Sequence, residues 1–215
     1  MLQEMVRQAV SHLREGEVAK AEVLLRRTLT AAPDHPVALH MLGVAAIQKG
    51  DLKEASRLIS KALRARPDYP EAHNNLGMVL LRSGRETDAF TAFVNAVVLQ
   101  PNAGPFWANF GECLAGIHFT TVPPPLFDVL LAALDRPSIH PASVARAVAN
   151  ALRRHPHVEP LLAGKGEVDA VAAAERLSAV PLLLRLMALA PIPDPDLEEW
   201  SLRVLDAKTL EEVFH

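Results

Sequence analysis

The sequence predicts an all-α protein, built as a solenoid of helix–turn–helix repeats followed by a helical C-terminal region. The prediction depends on one repeat period. Gly16, Gly50 and Gly84 are 34 residues apart, and a set of alanines and a set of prolines each recur at the same interval. Small residues and prolines at one fixed period are typical of stacked helix pairs. Strand patterns are nearly absent, since no alternating run of β-branched and aromatic residues ends in a hairpin turn. The repeated alanines and prolines are Ala21, Ala55, Ala89, Pro33, Pro67 and Pro101.

Each repeated position has a structural reason. Small residues in the first and second helix of a copy allow the two helices to approach closely, which a larger side chain would prevent. The glycine ends the first helix because it accepts the left-handed conformation just beyond the helix terminus. The proline stops the second helix before the next copy begins. One helix pair cannot bury its apolar face alone, so we expect the copies to stack into a superhelix with a concave inner surface.

These positions resemble the tetratricopeptide repeat (TPR) family. The third copy, residues 70–102, contains Leu76-Gly77, Gly84, Ala89, Phe93, Ala96 and Pro101 at the positions of the family pattern. The second copy, which begins at Pro36, follows the same pattern, and the first copy is degenerate. The fourth begins well with Trp107 but has His118 where the pattern has glycine. The resemblance implies a right-handed TPR array of about three and a half repeats over residues 1–119.

The resemblance also implies that the first helix of each copy lines a peptide-binding groove. Asn75 and Asn109 occupy equivalent positions and are similar to the asparagine ladder of O-linked N-acetylglucosamine transferases, whose amides bond the backbone of an extended peptide. An amide side chain has both a donor and an acceptor, so it can pair with a peptide unit of any sequence. Alternatively, both are polar residues of an exposed helix face or bond within the array. The predicted groove residues are Asn75, Asn109, Asn74, His40, Met41, Val44, Met78, Leu81 and Arg82.

A different TPR binding mode is not predicted. In the carboxylate clamp of chaperone-binding members, basic residues grip the C-terminal carboxylate of a peptide. The first clamp position here holds Gln3, Val37 and Glu71, none of which is basic.

The second half of the chain departs from the register. The segment 120–125 contains three consecutive prolines, which do not fit inside a helix, so we place a break there between the array and a helical module at 126–215. Apolar spacing predicts helices at about 126–134, 141–154, 168–177, 181–190 and 194–205. This half weakly resembles the helical region that precedes the catalytic domain of some bacterial TPR-containing methyltransferases. It has no glycine-rich nucleotide loop, so the resemblance implies a non-catalytic part.

Composition and scattered polar residues favour no enzyme, metal or cofactor. The first 119 residues carry 13 Lys and Arg against 12 Asp and Glu, which is too balanced for a nucleic-acid interface. His155 and His157 are too few ligands for a closed metal site. Cys113 is interpreted as a packing residue. The N-terminus has no apolar signal region and the apolar stretch 170–192 is interrupted by charges, so a cytoplasmic protein without a membrane span is expected.

Three hypotheses about function follow from these observations. The first is a non-enzymatic scaffold that binds a peptide or helix of a partner protein in the concave TPR groove. The second is the non-catalytic, substrate-recruiting region of a glycosyl- or methyltransferase. In the third, the C-terminal helices, above all the apolar segment 181–190, fill the groove and make the chain a structural or homo-oligomeric unit.

Overall fold

A computed structural model describes residues 1–159, 162, 180–195, 197 and 198. These residues form ten helices and contain no strand, which confirms the all-α class. The chain divides into two compact units, Met1–Cys113 and Leu114–His215. No helix among the described residues is both long and apolar enough to cross a membrane.

The helices of the first unit repeat with the predicted register. We call the first helix of each copy an A helix (α1, α3, α5 and α7) and the second a B helix (α2, α4 and α6). Both the first and the last residues of equivalent helices are 34 residues apart. The bounds are α1 Leu2–Arg14, α2 Val18–Ala31, α3 Pro36–Gln48, α4 Leu52–Ala65, α5 Pro70–Arg82, α6 Glu86–Leu99 and α7 Gly104–Gly116.

The turn between the A and B helix of a copy has the same geometry three times. Gly16, Gly50 and Gly84 have φ values of 77°, 80° and 72°, the left-handed region that glycine adopts without a steric penalty. After α3, the Asp51 N–H donates to the Ala46 carbonyl at 2.9 Å and closes a Schellman motif. Equivalent bonds follow α1 and α5. The predicted glycine termination of the A helices is therefore confirmed.

Within a copy, a glycine of the A helix receives a large side chain of the B helix. A Cβ atom added to Gly43 would lie 2.6 Å from Ile59 Cγ1, and one added to Gly77 would lie 2.6 Å from the Phe93 ring. Ile59 and Phe93 are completely buried. The predicted role of small residues in close helix approach is therefore confirmed, and the space left by each glycine is filled by one specific partner.

The A helices lie on the inside of the curved stack. Successive A helices pack directly on one another, α1 on α3 and α3 on α5, whereas successive B helices are held further apart. Elements on the inside of a curve are those that approach each other most closely. The array therefore presents its A helices on an inner face and its B helices on an outer face.

The second unit contains α8 Pro124–Leu134, α9 Pro141–Leu152 and α10 Pro181–Leu189. The α10 helix packs on both α8 and α9 and buries Leu182, Leu183 and Leu186. Pro124 and Pro125, which were expected in a non-helical break, form the start of α8, where a helix does not need their missing N–H groups. The predicted helix at 168–177 and most of 194–205 lie outside the described residues.

Candidate functional site

The two asparagines of the predicted ladder each bond to the preceding copy. The Asn75 amide nitrogen lies 2.8 Å from His40 Nε2, and the Asn109 amide nitrogen donates to Asn74 Oδ1 at 2.9 Å. His40 and Asn74 are themselves 34 residues apart, so the same bond is made twice with a different acceptor. Each bond joins one A helix to the next across the inner face of the array.

His40 is held as a neutral side chain between two partners. It is 1% exposed, and its Nδ1 lies 2.8 Å from the Tyr69 hydroxyl. An amide NH₂ group can only donate, so Nε2 accepts from Asn75 and the ring proton is on Nδ1, where it donates to Tyr69. Burial, with a smaller effect of the Arg66 charge, lowers the pKa of His40 to about 4. His40 is therefore uncharged at neutral pH and remains an acceptor for Asn75.

The bonds to His40 and Asn74 fix how the two amides are presented. Because both donate toward the preceding copy, Asn75 and Asn109 are held in the same orientation along the array. Each amide retains its carbonyl oxygen and a second N–H that make no bond to another described residue. Both side chains are half-buried, so these groups can reach a ligand on the inner face.

The nine predicted groove residues separate into two sets. Seven are reachable from solvent: Asn75, Asn109, Met41, Val44, Met78 and Leu81 are half-buried, and Arg82 is exposed. The other two, His40 and Asn74, are buried behind the amides and serve as their acceptors. Met41 and Val44 also pack against the buried core of copies 1 and 2.

The part of the site that sequence reasoning missed is Tyr69. Tyr69 belongs to the loop before α5. Its ring meets the His40 ring edge-on at a centroid distance of 4.7 Å. The Arg66 guanidinium carbon lies 3.4 Å from the centroid of the Tyr69 ring. The signal that could have found the cross-copy pairing is the offset of 35 residues between each buried acceptor and its amide donor. Tyr69 itself follows no repeated pattern in the chain.

One group of described residues could hold a metal ion. His12, Glu15 and Glu17, at the turn between α1 and α2, place one ligand atom each within 4.8 Å of one another. They already form an ion-pair cluster, in which Glu17 lies 2.7 Å from His12 and 2.7 Å from Lys20. These hydrogen bonds hold the pKa of Glu17 below its usual value.

Cys113 has no character of a catalytic nucleophile. It is buried, and burial raises the pKa of its thiol to about 12, with the charges of Glu86 and Glu112 acting in the same direction. A nucleophilic cysteine needs a thiolate near neutral pH. Cys113 is therefore protonated and contributes packing, as the sequence predicted.

Three comparisons with known proteins bear on this geometry. Residues 12–78 match the tetratricopeptide repeat family model. A mutant of the O-GlcNAc transferase of Thermobaculum terrenum is 27% identical, with a TM-score of 0.54, over 63% of this chain and 26% of that one. This chain therefore spans about a quarter of the transferase. No curated protein sequence matches the chain.

Two further solved structures cover nearly the whole chain. Pseudomonas aeruginosa pilF is 21% identical, with a TM-score of 0.52, over 94% of this chain and 97% of that one. YrrB, described as a TPR protein with an unusual peptide-binding site, is 17% identical, with a TM-score of 0.50, over 98% of this chain and 90% of that one. At these identities the likeness concerns the fold alone. The family match identifies residues 12–78 as tetratricopeptide repeats, and the helices of the first unit continue the same 34-residue period on both sides of them.

Proposed function

We propose that this chain is a non-enzymatic scaffold that binds an extended segment of a partner protein on the inner face of its TPR array. TPR arrays are protein–protein interaction scaffolds, and the choice of the inner face depends on one observation. Asn75 and Asn109 are held in one orientation by equivalent bonds to the preceding copy, and each keeps unused hydrogen-bonding groups.

The repeated amides favour an extended ligand over a helical one. An extended chain exposes its N–H and C=O groups at regular intervals, whereas a helix has bonded most of them internally. An amide with one free oxygen and one free N–H matches one peptide unit. Two such amides on successive copies can therefore hold a peptide backbone with little regard to its sequence.

Apolar residues beside the amides supply the remaining contact. Val44, Met78 and Leu81 are half-buried on the A helices, so part of each side chain is open to a ligand. Methionine adapts its shape to different apolar partners. Burial of these surfaces provides affinity, and exposed Arg82 favours ligands with an acidic group nearby.

The test is a calorimetric titration with a peptide selected from a random library on the intact chain. We expect the double variant Asn75→Ala/Asn109→Ala to weaken binding by about 1–3 kcal/mol, because each lost hydrogen bond contributes modestly. The matched control is Asn95→Ala/Asn102→Ala, which removes two exposed amides outside the inner face and should leave the affinity unchanged.

A third variant separates loss of binding from loss of folding. Met78→Glu introduces a charge among the apolar groove residues and leaves Asn75 and Asn109, with the hydrogen bonds they donate, in place. It should weaken binding while the thermal unfolding temperature stays near that of the parent chain. Unchanged affinity in both groove variants would contradict the proposal.

A second candidate function is the substrate-recruiting region of a glycosyltransferase that acts with a separate catalytic domain. The likeness to the T. terrenum transferase at 27% identity favours it. If a transferase is encoded next to this chain, it should modify the library-selected peptide faster when this chain is present. The variant Asn75→Ala/Asn109→Ala should remove that gain. An equal rate with and without the chain would contradict this candidate.

The methyltransferase resemblance, self-association and a cytoplasmic location stay predictions of the sequence.

A further inference from the structure

The outer face of the array has two crevices at equivalent places. One cavity of about 390 Å³ lies between α2 and α4, above the A helix α3. A second of about 290 Å³ lies between α4 and α6, above α5. Eight residues that line the first have counterparts 34 residues later in the second, so the repeat register has produced the same crevice twice. We call them the first and the second outer crevice.

The two outer crevices differ in charge. In the first, the rim carries Arg26, Arg57 and Lys61. The counterparts in the second are Ser60, Thr91 and Asn95, none of which is charged. The apolar floor of the first crevice consists of Leu29, Leu39, Leu42 and Leu58. The second crevice has one cation of its own, Arg85, which is paired with Asp88 at 2.6 Å. The excess of cations at equivalent positions indicates a chemical specialisation of the first crevice.

Two of the three rim cations of the first outer crevice already hold carboxylates of the chain itself. Arg57 holds Glu54 with two parallel bonds of 2.7 Å, one from Nε and one from a terminal nitrogen. Lys61 bonds the Asp34 carboxylate at 3.0 Å. The hydrogen bond from Arg57 lowers the pKa of Glu54, and the charge of Arg26 acts in the same direction from the opposite wall. Arg26 is exposed and has no ion pair among the described residues. The crevice thus holds carboxylates on Arg57 and Lys61 and leaves the Arg26 guanidinium without a direct ion pair among the described residues.

The surroundings of the first outer crevice are also basic, although the chain as a whole carries a formal net charge of −3. The α2 helix has Lys20, Arg26 and Arg27 against Glu22, and α4 has four basic residues against Glu54. The α6 helix, at the far wall of the second crevice, has Glu86 and Asp88 and no basic residue. The basic side chains of the outer face are therefore concentrated on α2 and α4, where they attract anionic segments.

We propose that the first outer crevice binds an acidic segment of a partner protein. One of its carboxylates pairs with Arg26 and a second replaces exposed Asp34 on Lys61, while one apolar side chain between them enters the cavity above the leucine floor. A cavity of about 390 Å³ falls in the range of sites that accept a compact apolar group. The planar guanidinium of Arg26 suits a peptide carboxylate because it can donate two parallel hydrogen bonds. This site is separate from the inner face and does not depend on the function proposed there.

The test is fluorescence anisotropy of the intact chain with a fluorescein-labelled peptide in which one phenylalanine is flanked by glutamates. The variant Arg26→Gln/Lys61→Gln removes two rim cations, and we expect its Kd to rise about tenfold or more. The control Lys53→Gln/Arg64→Gln removes the same net charge from exposed positions of α4 outside the crevice, so its Kd should change less than about twofold. The groove variant Asn75→Ala/Asn109→Ala should leave this Kd unchanged.

Three results would overturn the proposal. Equal weakening by the two charge variants would mean that only the general field attracts the peptide. Equal binding of a peptide with glutamine in place of glutamate would remove the role of the carboxylates. Tighter binding of a short oligothymidylate or of phosphatidylserine vesicles than of the acidic peptide would assign the basic face to another kind of partner.

Discussion

The junction between copies 1 and 2 and the junction between copies 2 and 3 have the same backbone and opposite surface chemistry. On the inner face, the first junction is apolar, with buried Val6 and half-buried Met41. At the equivalent positions the second junction has His40 and Asn75, joined by a hydrogen bond. On the outer face the first junction is the more polar one. The first outer crevice has three cations on its rim, and the second outer crevice has uncharged residues at the equivalent positions.

This comparison separates the residues that determine the fold from those that determine binding. The A-helix glycines and the turn glycines of copies 2 and 3 are unchanged, and the helix bounds follow them. The surface positions between these glycines are free to differ, because a solenoid copy contacts only its neighbours. Function is therefore expected where one junction departs from the other: the inner face of copies 2 to 4 and the outer face of copies 1 and 2.

The largest expected effect concerns pH and the junction between copies 2 and 3. The pKa of His40 is about 4 in the folded chain, compared with an ordinary value of 6.5. As the pH falls below 6.5, the unfolded chain takes up a proton there that the folded chain does not, until about pH 4. The contribution of neutral His40 to the free energy of unfolding is thus complete above pH 6.5. Between pH 6.5 and pH 4 this contribution falls by about 3 kcal/mol.

The variant His40→Asn isolates this effect, because it reproduces the acceptor that Asn74 supplies one copy later. The free energy of unfolding is measured with urea at pH 7 and at pH 4 for both chains. The decrease from pH 7 to pH 4 should be about 3 kcal/mol smaller in the variant than in the parent chain. The other histidines are common to both chains and cancel. An equal pH dependence in the two chains would show that His40 titrates normally.

The next effect tests the positions that both copies share. Gly77→Ala places a methyl group 2.6 Å from the Phe93 ring, and Gly43→Ala does the same against Ile59. Each should lower the free energy of unfolding by about 2 kcal/mol, since both partners are buried and cannot move away. Gly104→Ala is the control, because an added Cβ meets nothing within 4 Å. If all three variants had the same stability, close packing of the helix pair would not depend on these glycines.

A smaller effect is expected at the turns. Gly50→Ala and Gly84→Ala force a side chain into the left-handed region, where φ is 80° and 72°. Each should cost about 1 kcal/mol. There is open space around both glycines, so the cost is conformational only and should be equal in the two copies. Thermal unfolding of the two variants side by side measures it, and a clear inequality would argue against a common turn geometry.

The sequence was sufficient for the features that depend on local structure. The small residues, the turn glycines and the prolines recur with one period, and each acts on its own helix or turn, so helix bounds and turn geometry could be predicted. Burial of His40 and Asn74 could not, because it depends on how one A helix faces the next. Periodicity places both residues at a groove position and does not show that a neighbouring copy covers them.

The outer crevices were missed for a related reason. Arg26, Arg57 and Lys61 come from two helices that are not adjacent in the chain order, and each one alone resembles an ordinary solvated residue. Overall charge gave no indication either, since the basic residues of the first unit are balanced by acidic ones elsewhere. Only the three-dimensional stacking of copies brings the three cations to one rim.

The most direct measurement of the central claim is an NMR titration of the side-chain amide resonances with the peptide selected from the random library. The account predicts that the NH₂ signals of Asn75 and Asn109 shift together and saturate with the peptide, while those of Asn95 and Asn102 stay in place. A saturable complex in which neither Asn75 nor Asn109 shifts would contradict the account, because the peptide would then bind this array without its oriented amides.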